Sequence, residues 1–436
     1  FALWQWQASP QRLLRLISCC CLSFLVHTAA SPGEGDHARG YACDMEQRGF
    51  HILEMRDCSF IALKNSLLSA QPSLVIPLDR SANGACKPPA YSATLLQRIE
   101  QALEVPAREP YQQPWRYFTP QGEVIASRSG WDKAVAEGPI FLIEGGQFQW
   151  PPVRKGFKQK VNGLVAFGEQ IMLETLSVKP PIFQINKLSS EEEANRLIEY
   201  AKPYFRKSEV VYMDKDKGKK VENFRTSQSH RPAHNATELI ATMEARAALL
   251  TRIPPEHFEE MQILQYARGG YYHGHDDAAR LEFYAKDRNA ITRHHYGYFD
   301  RMITVFWYMN TVAKGGHTNF PRSDGGPGPP TMKKCVQGLM VPPVQGTAVM
   351  WYNMDPRGLV DEHALHAACE VEEGEKYAIN VWVYNKPRQQ PTATWDVTHP
   401  RLKFIKGALT SSESPHSTKR SLSFVNEAAS IAQVFW

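Results

Sequence analysis

Between residues 92 and 104 the apolar side chains Leu95, Leu96, Ile99, Ala102 and Leu103 recur every three or four positions, which places them on one face of an amphipathic helix. A second helix is signalled at Ser190. Ser190 and Glu193 have the spacing of a capping box, and Ala194, Leu197, Ile198 and Ala201 follow on a single apolar face. Elsewhere the apolar runs are short and rich in β-branched and aromatic residues, as in residues 139–143, 346–352 and 377–384. From Arg225 onward the pattern is one of short strands and loops. It predicts an α/β chain with a mostly β core: a double-stranded β-helix (jelly roll), with helices packed outside one sheet. The tail from about Arg388 is Ser/Thr-rich and unpatterned, and is expected to be disordered.

A length of 436 residues leaves room for two or three domains. A net charge of +5 is only mildly basic, and the lysine-rich stretch 215–220 has the composition of a solvated turn, so nucleic acid is not expected as a partner. Near the start, Arg12 and Arg15 precede an apolar run over residues 16–26, and the small residues Thr28, Ala29 and Ala30 follow. Residues 1–30 therefore read as a signal peptide or an uncleaved signal anchor, which points to the endoplasmic reticulum lumen or membrane. The chain opens on Phe1, and its true start is expected to lie upstream. Cys19, Cys20 and Cys21 fall in that segment, leaving Cys43, Cys58, Cys86, Cys335 and Cys369, an odd number for a secreted chain. Asn235 opens an Asn-Ala-Thr glycosylation sequon, and the terminus carries no retention tetrapeptide.

The candidate chemistry lies in the run Tyr266 to Asp277, with His366 and Lys376 about a hundred residues further on. His275 and Asp277 in a His-x-Asp spacing, plus one distant His, supply two imidazoles and one carboxylate. Such a set can occupy one face of an octahedral ferrous ion and leave the other face open. In a strand, residues i and i+2 project to the same side, so His275 and Asp277 can share a metal. His366 must then come from another strand. A hairpin through Glu372, Glu373 and Gly374 is expected to bring Lys376 back beside the metal, as a cation for the far carboxylate of a 2-oxoacid. A lone His-x-Asp is common, and His273, His294, His295 and His363 compete as imidazoles. His273 lacks a carboxylate two residues on, and His363 lacks a lysine at the right offset.

The sequence around these residues resembles the prolyl 4-hydroxylase family of Fe(II)/2-oxoglutarate dioxygenases over residues 176–387. The matching blocks are Leu176-Ser177 with Pro180-Pro181-Ile182-Phe183, then Leu188-Ser189-Ser190-Glu191-Glu192 and Arg225-Thr226-Ser227. They continue with 266–277, 301–305, 315–321, 346–352 and the run HAACEVEEGEK at 366–376. Departures are Gly274 and Glu370, where the family usually has Pro, and Tyr377, where it commonly has Trp. The stretch 278–300 is longer than the family norm, and reads as a flap over the site or an inert insertion.

The resemblance implies Fe(II) held by His275, Asp277 and His366, with O2 and 2-oxoglutarate as co-substrates and L-ascorbate as a further requirement. It implies that Lys376, helped by Tyr266 and Thr318, meets the distal carboxylate of 2-oxoglutarate. Arg225, Glu259, Tyr272, Arg301 and Trp382 would line a groove for a proline-rich peptide; the alternative is that Tyr272 and Trp382 are core residues and Arg301 an ordinary salt-bridge partner. Cys335 and Cys369 would form a disulfide. The implied reaction is conversion of peptidyl proline to 4-hydroxyproline, with release of succinate and CO2. Rival readings are a dioxygenase of the same fold acting on lysyl residues or a small molecule, and an inactive module that binds proline-rich peptides. Residues 31–175 precede these motifs as an extension of unknown fold and function, and residues 388–436 follow as the tail.

Overall fold

The computed structural model describes the backbone of residues 59–64, 73–77, 79–80 and 86–87. It also describes residues 90–388 except 104, 106–114, 138–139, 144–146, 153, 210–223, 280–299, 327–334, 336, 356–357 and 359. The expected signal segment, Cys43, Cys58, the lysine-rich stretch 215–220, His294, His295, most of the 278–300 stretch and the tail beyond Arg388 lie outside the described residues, as does the side chain of Cys86.

Two compact units are formed, one by residues 1–64, 68–105 and 127–141, the other by 65–67, 106–126 and 142–436. In the first, β1 (Ser59–Lys64) pairs antiparallel with β2 (Ser73–Pro77). The helix expected near residue 92 is α1 (Ala93–Ala102), and the Ser92 side chain caps it by accepting from the Leu95 amide. Helix α2 (Arg128–Glu137) buries Trp131, Ala134 and Val135. The strand expected at 139–143 forms at Ile140–Ile143, with all four side chains buried.

In the second unit a nine-stranded antiparallel sheet is assembled from β3 (Lys158–Ala166), β4 (Glu169–Ser177), β5 (Ile182–Ile185), β6 (Arg206–Lys207), β7 (Gln228–His230), β8 (Gln262–Tyr266), β10 (Arg301–Tyr308), β14 (Ala348–Tyr352) and β17 (Lys376–Tyr384). Their order across the sheet is β6-β7-β8-β17-β10-β14-β5-β4-β3. A smaller sheet holds β9 (Tyr272–His275), β15 (His366–Ala368), β12 (Thr318–Phe320) and β13 (Leu339–Val341), in that order. A short pair is formed by β11 (Lys314–Gly315) and β16 (Val371–Glu373). The two sheets enclose a core that includes Leu264, Tyr266, Phe306, Tyr308, Phe320, Val349, Trp351 and Ala378. This is the expected jelly roll.

The pleat decides which side chains enter that core. On β10, Phe306 and Tyr308 face inward, whereas Trp307 points to the outer face and donates to Ser189 Oγ at 3.0 Å. The outer face carries α3 (Glu191–Ala201) and α4 (Glu238–Thr251). Helix α3 begins with the expected capping box, Glu193 N to Ser190 Oγ at 3.1 Å and Ser190 N to Glu193 Oε2 at 3.0 Å. Its buried residues are Ala194, Leu197, Ile198 and Ala201, the face read from the sequence. Burying Leu197 and Ile198 stabilises the fold by roughly 1.5–3 kcal/mol each. Arg246 of α4 grips Glu193 with two hydrogen bonds, 2.8 and 2.9 Å, and so ties the two helices together. Among the described residues no helix is long and apolar enough to cross a membrane.

Two expectations need correction. The boundary at residue 176 cuts through β4, because β3 and β4 extend the large sheet and belong to the same unit as the strands after them. The alternation of β3, with Gln159, Val161, Leu164 and Ala166 buried, carries that information. The hairpin expected between His366 and Lys376 does not form. β15 lies in the small sheet and β17 in the large one, and between them β16 pairs with β11. That pairing needs Gly315, which has φ +78° and whose Cβ, if present, would stand 2.3 Å from Glu370 O.

Candidate metal centre and active site

Register brings the two histidines together. β9 pairs antiparallel with β15, and His275 lies directly opposite His366, with ring centroids 4.3 Å apart. Asp277 joins them from outside the strand. β9 is irregular between Tyr272 and His275 and ends at His275, so the expected i, i+2 placement of His275 and Asp277 on one strand is not what occurs. Instead the Asp277 carboxylate is drawn across the core to β10, where the Thr304 hydroxyl donates to its Oδ2 at 2.7 Å.

The resulting donor set suits a divalent metal. His275 Nε2 is 3.8 Å from Asp277 Oδ1, and His366 Nε2 is 3.6 Å from Asp277 Oδ2. Ligand atoms of the three residues lie within 4.8 Å of one another, and among the described residues no other group of His, Cys, Asp or Glu does this. His275 Nδ1 meets His273 O at 2.8 Å, and His366 Nδ1 meets Ala364 O at 2.9 Å. A carbonyl can only accept, so each Nδ1 carries a proton and each Nε2 is the nitrogen turned to the shared space, where it can serve as the metal ligand. Burial pushes His275 well below its ordinary pKa, and the neighbouring His366 adds to this, so the ring is a neutral ligand at physiological pH. Burial would raise the Asp277 carboxyl, but His366, His275, Arg301 and the Thr304 hydrogen bond outweigh it and leave the group ionised, with a pKa of about 2. Two imidazoles and one carboxylate are what Fe(II) takes in a facial three-ligand set. The competing imidazoles lead elsewhere: His273 stacks on Tyr271 at 4.6 Å, and His363 Nδ1 bonds Asp361 at 2.9 Å.

Lys376, opposite Tyr266 in the β8–β17 register, is fully buried. Its ammonium donates to Gly316 O at 2.6 Å and is surrounded by the rings of Phe306, Tyr308 and Tyr266 at 5.0, 5.4 and 5.6 Å. Among the described residues no carboxylate pairs with it. Burial lowers its pKa to about 7. A buried ammonium with one carbonyl partner keeps donors in reserve for an anion. Thr318, also buried, accepts from Tyr308 Oη at 2.8 Å, which leaves its own hydroxyl proton available. Tyr308 and Thr304 were not legible as site residues, although alternation along 304, 306 and 308 already puts them on one face of a strand.

The five residues expected in a peptide groove fall into two groups. Tyr272 stacks on His275 at 3.6 Å, and the Arg225 guanidinium lies 4.5 Å above the Tyr272 ring. Arg225 itself bonds Ser227 Oγ at 2.7 Å and Gln262 Oε1 at 3.3 Å. In the second group Arg301 forms a two-pronged bond to Glu259, 2.7 and 3.0 Å, and lies 3.7 Å from the centroid of Trp382. Arg231, which the sequence did not single out, covers Trp382 as well, at 4.9 Å. Trp382 is a buried strand residue, and Arg301 is ion-paired in a half-buried position. Cys335 and Cys369 form a disulfide, three residues beyond His366. Asn235 is exposed, and Thr237 of its sequon caps α4 through the Ile240 amide at 3.1 Å.

A jelly roll with two histidines and an aspartate between its sheets defines an iron-dependent oxygenase scaffold, and the 2OG-Fe(II) oxygenase superfamily matches residues 261–384. The chain is 31% identical over 215 residues to Prolyl 4-hydroxylase 13 of Arabidopsis thaliana, covering 48% of this chain and 72% of that protein. Probable prolyl 4-hydroxylase 6 of the same plant is 35% identical over 216 residues, covering 48% and 70%. Probable prolyl 4-hydroxylase 3, also from Arabidopsis thaliana, is 32% identical over 252 residues, covering 56% and 83%. The chain belongs to the prolyl 4-hydroxylase family. Among solved structures, the viral collagen prolyl hydroxylase of Paramecium Bursaria Chlorella virus-1 aligns over 47% of this chain and 95% of its own, at 20% identity and a TM-score of 0.34.

Proposed function

We propose that this chain converts peptidyl proline to 4-hydroxyproline, consuming O2 and 2-oxoglutarate and releasing succinate and CO2. The observation that carries the reading is the pairing of a two-histidine, one-aspartate set with a buried ammonium that has no carboxylate partner among the described residues. His275 Nε2, His366 Nε2 and Asp277 would hold Fe(II), which when bound with 2-oxoglutarate supplies the oxidising chemistry. Lys376 would meet the distal carboxylate of 2-oxoglutarate, with the Thr318 hydroxyl and Tyr266 beside it. Such a site selects a dicarboxylate, because an uncharged end would leave the ammonium buried and unpaired.

On the substrate side, Tyr272 and Trp382 offer aromatic surface suited to a proline ring. Arg225 and Arg301 can donate to the carbonyls of an extended polyproline II peptide. Glu259 fixes the Arg301 guanidinium against Trp382, so little side-chain freedom remains to be lost on binding. The disulfide and the exposed sequon at Asn235 support placement in an oxidising compartment of the secretory pathway, with a signal or anchor at residues 1–30 and L-ascorbate as a reductant.

The test is anaerobic loading with Fe(II) and 2-oxoglutarate, then addition of O2 with a polyproline peptide and assay of succinate and hydroxyproline. His366→Ala serves as the blank. Coupled formation of both products is expected. Succinate without hydroxyproline would keep the oxygenase and overturn the substrate, and absence of both products with no metal bound would favour an inactive peptide-binding module.

A further inference from the structure

Asp277 ends a chain of buried hydrogen bonds that begins at Trp351 of β14 and whose direction is fixed at both ends. Trp351 Nε1 lies 2.8 Å from Asn353 Oδ1, Asn353 Nδ2 lies 2.9 Å from Thr304 Oγ1, and Thr304 Oγ1 lies 2.7 Å from Asp277 Oδ2.

 An indole N–H can only donate and a carboxylate can only accept. The single Thr304 proton is therefore given to Asp277, Thr304 must accept from Asn353, and the Asn353 amide has one permitted orientation. Thr304 is 0% exposed and Asn353 and Trp351 are each 1% exposed, so water does not substitute for any member. The backbone holds Asn353 as well, through its own amide to Met302 O at 2.8 Å and from the Asp361 amide to its carbonyl at 2.9 Å. The Trp351 ring also packs edge-on against His366, with centroids 4.6 Å apart. One end of the relay thus touches a second member of the triad.

The consequence concerns how Asp277 binds. Thr304 takes one lone pair of Oδ2, which also lies 3.6 Å from His366 Nε2, whereas Oδ1, 3.8 Å from His275 Nε2, receives no bond from Thr304. An octahedral ion bound by three protein atoms keeps three positions, which 2-oxoglutarate and O2 require together. A carboxylate binding through both oxygens would take one of them. We propose that Trp351, Asn353 and Thr304 are positioning residues that hold Asp277 as a one-oxygen ligand and so keep the third position open. This rests on the metal-centre reading above.

Co(II) is the probe, because its visible absorption reports coordination number and its affinity can be measured without turnover. Wild type, Thr304→Val, Thr304→Ser and Trp351→Phe are titrated with Co(II), and melting of each metal-free protein is followed in parallel. Thr304→Val is expected to lose roughly 10- to 100-fold in Co(II) affinity and to shift the visible bands. Thr304→Ser, which keeps the hydroxyl, restores both, and Trp351→Phe shows a smaller change of the same kind. A Thr304→Val protein with wild-type affinity and bands overturns the inference while leaving the metal centre standing. So does a Thr304→Ser protein that behaves like Thr304→Val. If Thr304→Val does not fold, wild-type bands in Trp351→Phe overturn it. A wild-type protein that takes up no Co(II) overturns the metal-centre reading and this inference with it.

Discussion

Burial leaves the Lys376 ammonium with a single carbonyl acceptor and three aromatic rings, an arrangement that costs stability until an anion arrives. Lys376→Met is accordingly expected to weaken 2-oxoglutarate binding by about 2–5 kcal/mol while leaving the melting temperature of the metal-free protein unchanged or higher. Calorimetric titration with 2-oxoglutarate, alongside thermal melts, checks both halves. The same residue predicts a pH dependence. Its pKa in the unliganded protein is about 7, so below that pH the ammonium is already formed and affinity is flat. Above it, binding must take up a proton, and affinity should fall by up to about tenfold per pH unit. Titrations in buffers of different ionisation enthalpy measure that uptake; flat affinity from pH 6 to 9 would remove Lys376 from the anion site. At this scale the sequence was informative about identity, naming His275, Asp277, His366 and Lys376, because metal and anion chemistry restrict residue type. It was silent about Thr304 and Tyr308, since a Thr or a Tyr in a strand has no chemical signature until its neighbours are known.

Helix α3 shows how far local pattern reaches. Its cap and its buried face follow from residues no more than eleven apart, and both were legible. Ser190→Ala removes the acceptor for the Glu193 amide and should lower stability by about 1 kcal/mol, read as a lower urea midpoint with unchanged slope. Because Glu193 also holds Arg246, the loss should be larger in this protein than in one whose α4 is untied. The element that local pattern misplaced was the stretch from His366 to Lys376. Glu372, Glu373 and Gly374 look like a hairpin turn, yet β16 pairs with β11, about sixty residues earlier in the chain, and the strands on either side enter different sheets. Asp277 fell outside its expected strand for a related reason, since a hydrogen bond to Thr304 on β10 decides where its carboxylate goes.

Across the whole molecule, the disulfide ties the strand that carries His366 to the segment after β12. Cys335 and Cys369 are 34 residues apart, and closing a loop of that size stabilises the fold by about 2–4 kcal/mol. Replacing both by Ser should lower the urea midpoint accordingly and make it insensitive to added reductant, whereas the wild-type midpoint should fall when reductant is present. What the sequence determined by itself was the kind of parts: the jelly-roll class, the helix faces and caps, and the residue types of the candidate site, all carried by short periods or by chemistry with few substitutes. The tertiary structure alone decided where the large sheet begins, that His275 stands opposite His366, that Asp277 leans on Thr304 from a loop, and that Lys376 is buried without a carboxylate among the described residues. Those features depend on pairing between strands distant in the chain and on depth in the core, and neither leaves a period in the sequence for local reading to find.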